Sequence, residues 1–270
     1  MTGGHELAGP VAPMASQWPA PAPGAAPLPA MITAQAVLET RTILRNGEQL
    51  LLILIIPVLL LAAFTLEPLV KSEGRRVDFL VPGIIALAVM STAFTSQAIA
   101  TGFERRYGVL KRLGATALPR SVLLLGKTAA VLCIELLQVV LIGGLGLALG
   151  WRPTGGADAV LATVLLVVAG TAAFAGLGLL LAGTLRAEAT LAAANLAWFL
   201  LLFFGGVLFP LSRFPAGLAA VLEYLPTAAL SEGLRAVLRD GTAVPAQSLL
   251  TLLAWAVLAL GAAAVTFKWE

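Results

Sequence analysis

The sequence predicts an all-α membrane protein with six transmembrane helices, and two observations support this prediction. Hydrophobic residues make up 59% of the 270 residues and the mean hydropathy is +0.96, a composition that would leave large apolar patches on a soluble domain. The apolar residues also form runs of about 20 residues or more, enough to cross roughly 30 Å of hydrocarbon as a helix. The predicted spans are residues 48–66, 80–101, 122–149, 158–183, 189–209 and 244–266.

The N-terminal segment, residues 1–30, differs from the rest of the chain in composition. It is rich in Pro, Ala and Gly and has no continuous apolar run, so we expect a disordered cytoplasmic tail and no secretory signal. The only histidine, His5, lies in this tail, which excludes a histidine-based active site in the membrane body. We expect residues 31–270 to form one six-helix transmembrane domain, with Met31 as an alternative start of the chain. Its first helix, residues 32–46, mixes apolar with charged residues and is predicted to lie at the inner membrane surface.

The distribution of basic residues predicts which side of the membrane each connection faces. The densest group of Lys and Arg lies in the 102–121 connection, and short basic connections stay in the cytoplasm. The net charge of +3 does not indicate nucleic acid as a partner, because these residues flank membrane spans. We therefore expect a multi-pass protein of the cell (inner) membrane with both termini in the cytoplasm. The other connections are 184–188 inside, and 67–79, 150–157 and 210–243 outside.

The 103–113 segment is predicted to be a short amphipathic helix. The helical wheel places Glu104, Arg105, Gly108, Lys111 and Arg112 on one face, and Phe103, Tyr107, Val109, Leu110 and Leu113 on the other. Such a helix suits docking on a cytoplasmic protein, with Glu104 and Arg112 directed to the partner and the apolar face packed against the membrane domain. The alternative is a solvated loop that lies on anionic headgroups.

The external connection 210–243 contains a pair of helices broken by proline. Pro215 can begin the first, residues 216–224, and Pro226 separates it from the second, residues 228–239. The second helix has an apolar stripe, and its polar side carries Ser231, Glu232, Arg235 and Arg239. The pair either dips into the outer leaflet and covers a pathway or lies there as an interfacial hairpin.

Glu135 and Gln138, about one helical turn apart, are the main polar residues inside a predicted span. A carboxylate at this depth costs roughly 2.5–3.5 kcal/mol on insertion scales, so Glu135 should face protein or water. It is a substrate contact, a proton-coupling site or an interhelical partner of Gln97 or Asn195, and we favour the last of these. Cys133 is the only cysteine and can form no intrachain disulfide.

The Gly126-Lys127-Thr128 sequence matches only the last part of the phosphate-binding loop motif. The loop needs a further glycine five positions earlier, where this chain has Ser121, and it needs a preceding strand. Here the fragment opens an apolar helix. We therefore expect no nucleotide site at this position, and we expect Lys127 to extend to the inner headgroups.

Three segments together resemble one family of membrane proteins. The first runs from Phe103 to Leu113 and continues to Pro119-Arg120, with an acidic residue, a glycine and a later proline. The second is Gly126-Lys127. The third is Gly205-Gly206-Val207-Leu208-Phe209-Pro210-Leu211, followed by Leu225-Pro226 and Glu232-Gly233-Leu234-Arg235. In order and spacing they resemble the membrane subunit of ABC-2-type exporters over about residues 32–266, which leaves the N-terminal tail without a counterpart.

The resemblance implies one half of an ATP-driven exporter of drugs, lipids or glycans. Two permeases would pair as a homodimer or heterodimer, and a separate cytoplasmic ATP-binding cassette ATPase would hold ATP and Mg. The residues implied to dock this ATPase are Phe103, Glu104, Arg105, Tyr107, Gly108, Leu110, Lys111 and Arg112. The chain itself is expected to be a transport subunit in contact with membrane lipid, with no catalytic, cofactor-binding or metal-binding residues.

Two other classes of function compete with this one. A proton-coupled secondary transporter would use Glu135, which is the only residue that supports it. An intramembrane enzyme would need a nucleophile and base, and neither a His-Glu-x-x-His nor a Gly-x-Ser-x-Gly motif is present.

Overall fold

The computed structural model describes residues 26–66, 75–114 and 119–266, and these residues form helices and connections without a β-strand. Within these described residues, six helices are long and apolar enough to cross a membrane, which confirms the predicted fold class and number of spans. The helices are α1 (Leu28–Arg45), α2 (Gly47–Leu50), α3 (Ile56–Leu66), α4 (Arg76–Val89), α5 (Gln97–Arg106), α6 (Val109–Gly114), α7 (Arg120–Ala148), α8 (Gly156–Thr184), α9 (Ala187–Phe204), α10 (Ala216–Leu222), α11 (Pro226–Leu238) and α12 (Ala246–Thr266).

Each of the first two spans consists of two α-helices joined by a π-helical turn. The first span, Gly47–Leu66, joins α2 and α3 through Leu51–Ile55, and the second span, Arg76–Arg106, joins α4 and α5 through Met90–Ser96. The third to sixth spans are α7, α8, α9 and α12. The wider π turns interrupt the regular hydrogen-bonding ladder, and such turns are often found at functional sites.

The predicted N-terminal helix is present as α1. It begins at Leu28, so its first turn includes three residues that were predicted to belong to the tail. Pro29 stands in this first turn, where its missing N–H leaves no helical hydrogen bond unmade. Residues 1–25, where disorder is predicted, lie outside the described part of the chain.

The fifth span is shorter than the predicted 189–209. It ends at Phe204, because Gly205 and Gly206 end the helix although the apolar sequence continues. Gly206 has a φ of +70°, a conformation that favours glycine. A Cβ at Gly205 would lie 2.6 Å from the Cβ of Thr227, so the chain can turn here only without a side chain.

The second span forms the centre of the bundle. Its most apolar window is 89% buried, whereas the corresponding windows of the first, fifth and sixth spans are 17–22% buried. It packs against the first, third, fourth and fifth spans and against α11. The first, fifth and sixth spans therefore form the periphery and present apolar side chains to the surroundings.

Candidate functional site

The segment predicted to be a single amphipathic helix, residues 103–113, is divided in the structure. Helix α5 continues the second span to Arg106, the chain turns at Tyr107 and Gly108, and α6 begins at Val109. Gly108 has a φ of +69°, which favours glycine and ends α5. The single-helix prediction is therefore wrong, and one helical wheel does not describe both sides of Gly108.

The side chains on the two parts of this segment also differ from the prediction. Leu110 is buried as expected, but Tyr107 is 63% exposed instead of packing against the membrane domain. Its ring stacks on that of the half-buried Phe103, with the centroids 6.1 Å apart. Lys111 and Arg112 on α6 are exposed. Tyr107, Val109, Lys111 and Arg112 thus form an exposed basic and aromatic surface, which we call the α6 surface.

Two further arginines of the segment hold the connection between the fourth and fifth spans. Arg105 donates to the carbonyl oxygen of Gly183 at 2.7 Å and to that of Leu185. Arg106 forms an ion pair with Glu188 at the start of α9. Because the carbonyl groups at the end of a helix carry partial negative charge, Arg105 is well placed at the end of α8. The second span is thereby joined to the fourth and fifth at the end where the α6 surface lies.

Glu104 faces the interior of the protein and not a partner, contrary to the prediction. Lys127 Nζ lies 2.8 Å from Glu104 Oε1 and 2.9 Å from Glu39 Oε1, and Lys127 is only 6% exposed. Gln35 Nε2 donates to Glu39 Oε1 at 2.8 Å. The prediction that Lys127 reaches the headgroups is also wrong, because two carboxylates compensate its buried charge. We call Glu39, Glu104 and Lys127 the charge cluster.

Close packing of α1 on α7 brings the charge cluster together. A Cβ on Gly126 would lie 2.5 Å from Gln35 Cγ, so only glycine at this position allows α1 to approach so closely. The cluster then draws one residue from α1, one from the second span and one from the third. These three helices are fixed to one another next to the α6 surface.

Glu135 and Gln138 of the third span are both buried, and each joins different helices. Glu135 Oε2 lies 2.5 Å from the hydroxyl of Thr171 on α8, so the predicted partners Gln97 and Asn195 are wrong. Gln138 accepts from Thr92 Oγ1 at 3.1 Å and donates to the carbonyl oxygen of Ile53 at 2.9 Å.

The carbonyl oxygen of Ile53 is free to accept from Gln138 because Pro57 stands four positions later in the first span. Pro57 has no N–H and cannot make the helical hydrogen bond to Ile53. Gln138 donates to this acceptor instead, which links the first and third spans. The helical hydrogen bond that Pro57 cannot make is thus replaced by a side-chain hydrogen bond from another span.

The broken helical pair is present as α10 and α11, but Arg235 does not lie on a water-facing side. It is 2% exposed and donates to the carbonyl oxygens of Phe79 at 3.2 Å and Val207 at 3.0 Å. It also pairs with the half-exposed Glu232 at 2.7 Å, and its guanidinium lies 3.7 Å from the centre of the Phe79 ring. The neighbouring Ser231 is fully buried. The predicted polar side of α11 is therefore divided: Ser231 and Arg235 are buried, because α11 packs on the second, fourth and sixth spans, whereas Glu232 and Arg239 remain partly exposed.

Helix α11 extends from the middle of the bundle to one end. Thr227, near its start, contacts Met90 at the middle of the second span, and Leu230 packs on Gly170 at the middle of the fourth. At the other end, the carbonyl oxygen of Leu238 accepts from the backbone N–H of Thr154, just before the fourth span. Of the two arrangements that the sequence left open, these contacts favour the one in which the pair enters the bundle over a hairpin at the surface.

Comparison with known families shows what kind of protein this is. The sequence profile described as ABC-2 family transporter protein matches residues 70–265, which is well over half of the chain. The chain belongs to the ABC-2 transporter family. No curated protein matches the sequence. The chain is therefore the membrane permease of an ABC transporter, and the matched region contains the α6 surface, Glu135 and α11.

The main feature of this permease that the sequence interpretation missed is the charge cluster. Gln35 and Glu39 lie four residues apart, so they occupy one face of α1, and Gly126 directly precedes Lys127. A polar helix face and a Gly-Lys pair at a helix start are signals that two helices cross closely around a buried lysine. Neither signal identifies Glu104 as the third member, because Glu104 belongs to the second span and both signals come from α1 and α7.

Proposed function

We propose that this ABC-2 permease is the membrane subunit of an exporter driven by a separate cytoplasmic ABC ATPase. The observation that carries the proposal is the position of the α6 surface. It follows directly on the second span, which is the most deeply buried span of the bundle. A movement imposed on α6 by the ATPase would therefore reach the centre of the membrane domain. The substrate is a drug, a lipid or a glycan.

The ATPase is proposed to contact Tyr107, Lys111 and Arg112, with Gly108 shaping the turn between them. Phe103 and Leu110 support this surface from below, and Glu104 and Arg105 act by fixing the second span to its neighbours. The basic character of the α6 surface favours an acidic groove on the ATPase. This is a smaller contact set than the eight residues that the resemblance implied.

ATP and Mg²⁺ are proposed to bind to the ATPase and not to this chain. Gly126 to Thr128, the sequence closest to a phosphate-binding loop, belongs to the continuous helix α7. Lys127 already pairs with two carboxylates and Gly126 lies against α1, so these residues do not fit a phosphate group. Membership of the ABC-2 family also favours ATP over the proton coupling that Glu135 suggested as an alternative.

A second permease subunit is proposed to cover part of the peripheral spans. Asn195 lies on the exposed side of the fifth span, next to the exposed apolar residues Leu196 and Phe199. A polar side chain in a span is costly against lipid and usually faces protein or a water-filled path. This supports a pairing surface or substrate path on the fifth span, in a homodimer or a heterodimer. The inner membrane, with both termini in the cytoplasm, remains the proposed location on the basis of the basic 102–121 connection.

Reversing the charge of α6 should separate the permease from its ATPase. We expect the Lys111→Glu/Arg112→Glu variant to insert normally but to lose at least about 90% of the copurifying ATPase, because charges on a docking surface steer and hold the partner. The measurement is the amount of ATPase recovered with affinity-purified permease and the stimulation of its ATP hydrolysis. The control is Lys111→Arg/Arg112→Lys, which keeps the charge. Normal recovery and normal export by the reversed variant would contradict the proposed docking surface.

A further inference from the structure

A cavity with both polar and apolar lining residues lies beside the charge cluster, between α1 and the first span on one side and the second and third spans on the other. Its volume is about 90 Å³, several times the roughly 15 Å³ that one water molecule requires. Its polar lining includes Glu39, Ser96, Gln97, Thr101, Glu104 and Lys127. Ile43, Ile53, Ala130 and Val131 form apolar parts of the same wall. The cavity thus offers a polar stripe and an apolar wall to one ligand.

Several of the polar groups on this wall have no hydrogen-bond partner among the described residues. Gln97 is 5% exposed, and neither its amide nitrogen nor its amide oxygen is bonded. The hydroxyl of Thr101 and Oε2 of Glu104 are also unpaired. The spacing of residues 97, 101 and 104 places all three on one face of α5. Buried polar atoms without a partner are costly, and these atoms belong to residues that line the cavity. A rotation of these side chains towards the cavity would let a polar occupant pair with them.

The charges of the residues around the cavity favour a cationic occupant. Glu39 and Glu104 carry two negative charges and Lys127 one positive charge, so the ionised residues that line the cavity have a net charge of −1. The free atoms of Glu104 and Thr101 and the amide oxygen of Gln97 can all accept hydrogen bonds. An ammonium group supplies the positive charge and the donors that these atoms lack. The apolar wall suits a hydrocarbon chain attached to it.

We propose that this cavity binds the ammonium group of an amphiphile that enters from the side of the membrane where α1 lies. The amphiphile is either the amine headgroup of a membrane lipid or a foreign amphipathic amine. The inference deepens the proposed function, because a bound amphiphile next to the second span would be a substrate on its way to export. The binding itself requires no ATPase, so it can be tested on the full-length permease alone.

The first test measures whether the cavity is open and attracts cations. Ser96→Cys in a Cys133→Ala background places one thiol on the wall, and Ser212→Cys is the control at an exposed position, which does not line the cavity. The purified permease in phosphatidylcholine nanodiscs is treated with trimethylammonium-ethyl or sulfonatoethyl methanethiosulfonate. After correction for the reaction of each reagent with a free thiol, we expect the cationic reagent to modify Ser96→Cys about tenfold faster than the anionic one. Adding Glu104→Gln should remove most of this preference, and Ser212→Cys should not show it.

The second test identifies the ligand. Dodecylammonium in the nanodisc should slow the modification of Ser96→Cys at least about fivefold, whereas dodecanol at the same mole fraction should not, because only the ammonium group can donate to the free acceptors and carry the positive charge. If phosphatidylethanolamine in the nanodisc gives the same protection, the natural ligand is the lipid headgroup; protection by dodecylammonium alone indicates a foreign amine. Ala100→Cys, which also lines the cavity, replaces Ser96→Cys if the latter does not fold.

Three results would overturn the proposal. Absence of any reaction at both wall positions would show a closed cavity, equal rates for the two reagents would show no preference for cations, and equal protection by dodecanol would show an apolar site or one filled by water only. None of these results depends on the ATPase. A permease that binds amines but fails to recruit an ATPase would instead contradict the proposed function and leave the binding site standing.

Discussion

Replacing Lys127 with methionine is expected to cause the largest loss of stability of any single change at the charge cluster. The side chain of methionine fills a similar volume, but Glu39 and Glu104 then lose the ammonium group that lies 2.8–2.9 Å from each of them. Removing one member of a buried ion pair typically costs about 3–5 kcal/mol, because the remaining charge stays buried without compensation. We expect the purified permease to melt at a clearly lower temperature and to lose the packing of α1 on α7.

The matched control for this variant is Lys111→Met. Lys111 is exposed on α6, and a substitution at such a position usually changes stability by less than about 0.5 kcal/mol. The triple variant Lys127→Met/Glu39→Gln/Glu104→Gln also removes the two uncompensated carboxylate charges, so it should recover part of the lost stability. Equal melting temperatures for Lys127→Met and Lys111→Met would show that the charge cluster does not hold α1 in place.

Replacing Arg235 with leucine is expected to displace α11 from the bundle. Arg235 donates to the carbonyl oxygens of Phe79 and Val207, and an unpaired buried polar group costs about 1–3 kcal/mol. The substitution leaves the carbonyl of Val207 unpaired, removes the side-chain donor from the carbonyl of Phe79 and removes the stacking of the guanidinium on the Phe79 ring. We expect a large fall in melting temperature and increased proteolysis around residues 205–226.

Two variants separate the geometry of Arg235 from its charge. Arg235→Lys keeps the charge but lacks the planar fork that reaches two carbonyls and Glu232 together, so it should recover only part of the stability. Arg239→Leu, on the same helix, removes an exposed arginine whose contact with Asp240 is 3.7 Å long, and it should have little effect. A fully stable Arg235→Leu variant would contradict the account of α11 as a helix anchored by this residue.

The spans could be predicted from the sequence because a bilayer demands long uninterrupted apolar runs, and hydropathy records this directly. The end of the fifth span could not, because hydropathy continues through Gly205 and Gly206 while the backbone turns. Hydropathy also gives no indication that the second span is central and the fifth peripheral. That difference arises from packing between spans that have similar composition.

The candidate site was predicted less well, for two physical reasons. A helical wheel assumes an unbroken helix, and the positive φ of Gly108 invalidates it between Arg106 and Val109. The wheel also assigns charged residues to water, whereas Glu104 and Arg235 have partners that lie far away in the sequence. Such pairs depend on which helices meet, and the pattern within a single helix does not contain this information.

The central claim, that α6 faces the cytoplasm where an ATPase can dock, is tested most directly by the sidedness of thiol labelling. Single cysteines are introduced as Arg112→Cys and Ser212→Cys in a Cys133→Ala background; both positions are exposed, and they lie on connections predicted to be on opposite sides of the membrane. With a membrane-impermeant maleimide, the Ser212→Cys protein should be labelled in intact cells and the Arg112→Cys protein only after permeabilisation. Labelling of the Arg112→Cys protein in intact cells would place α6 outside the cell and contradict ATPase docking at this surface.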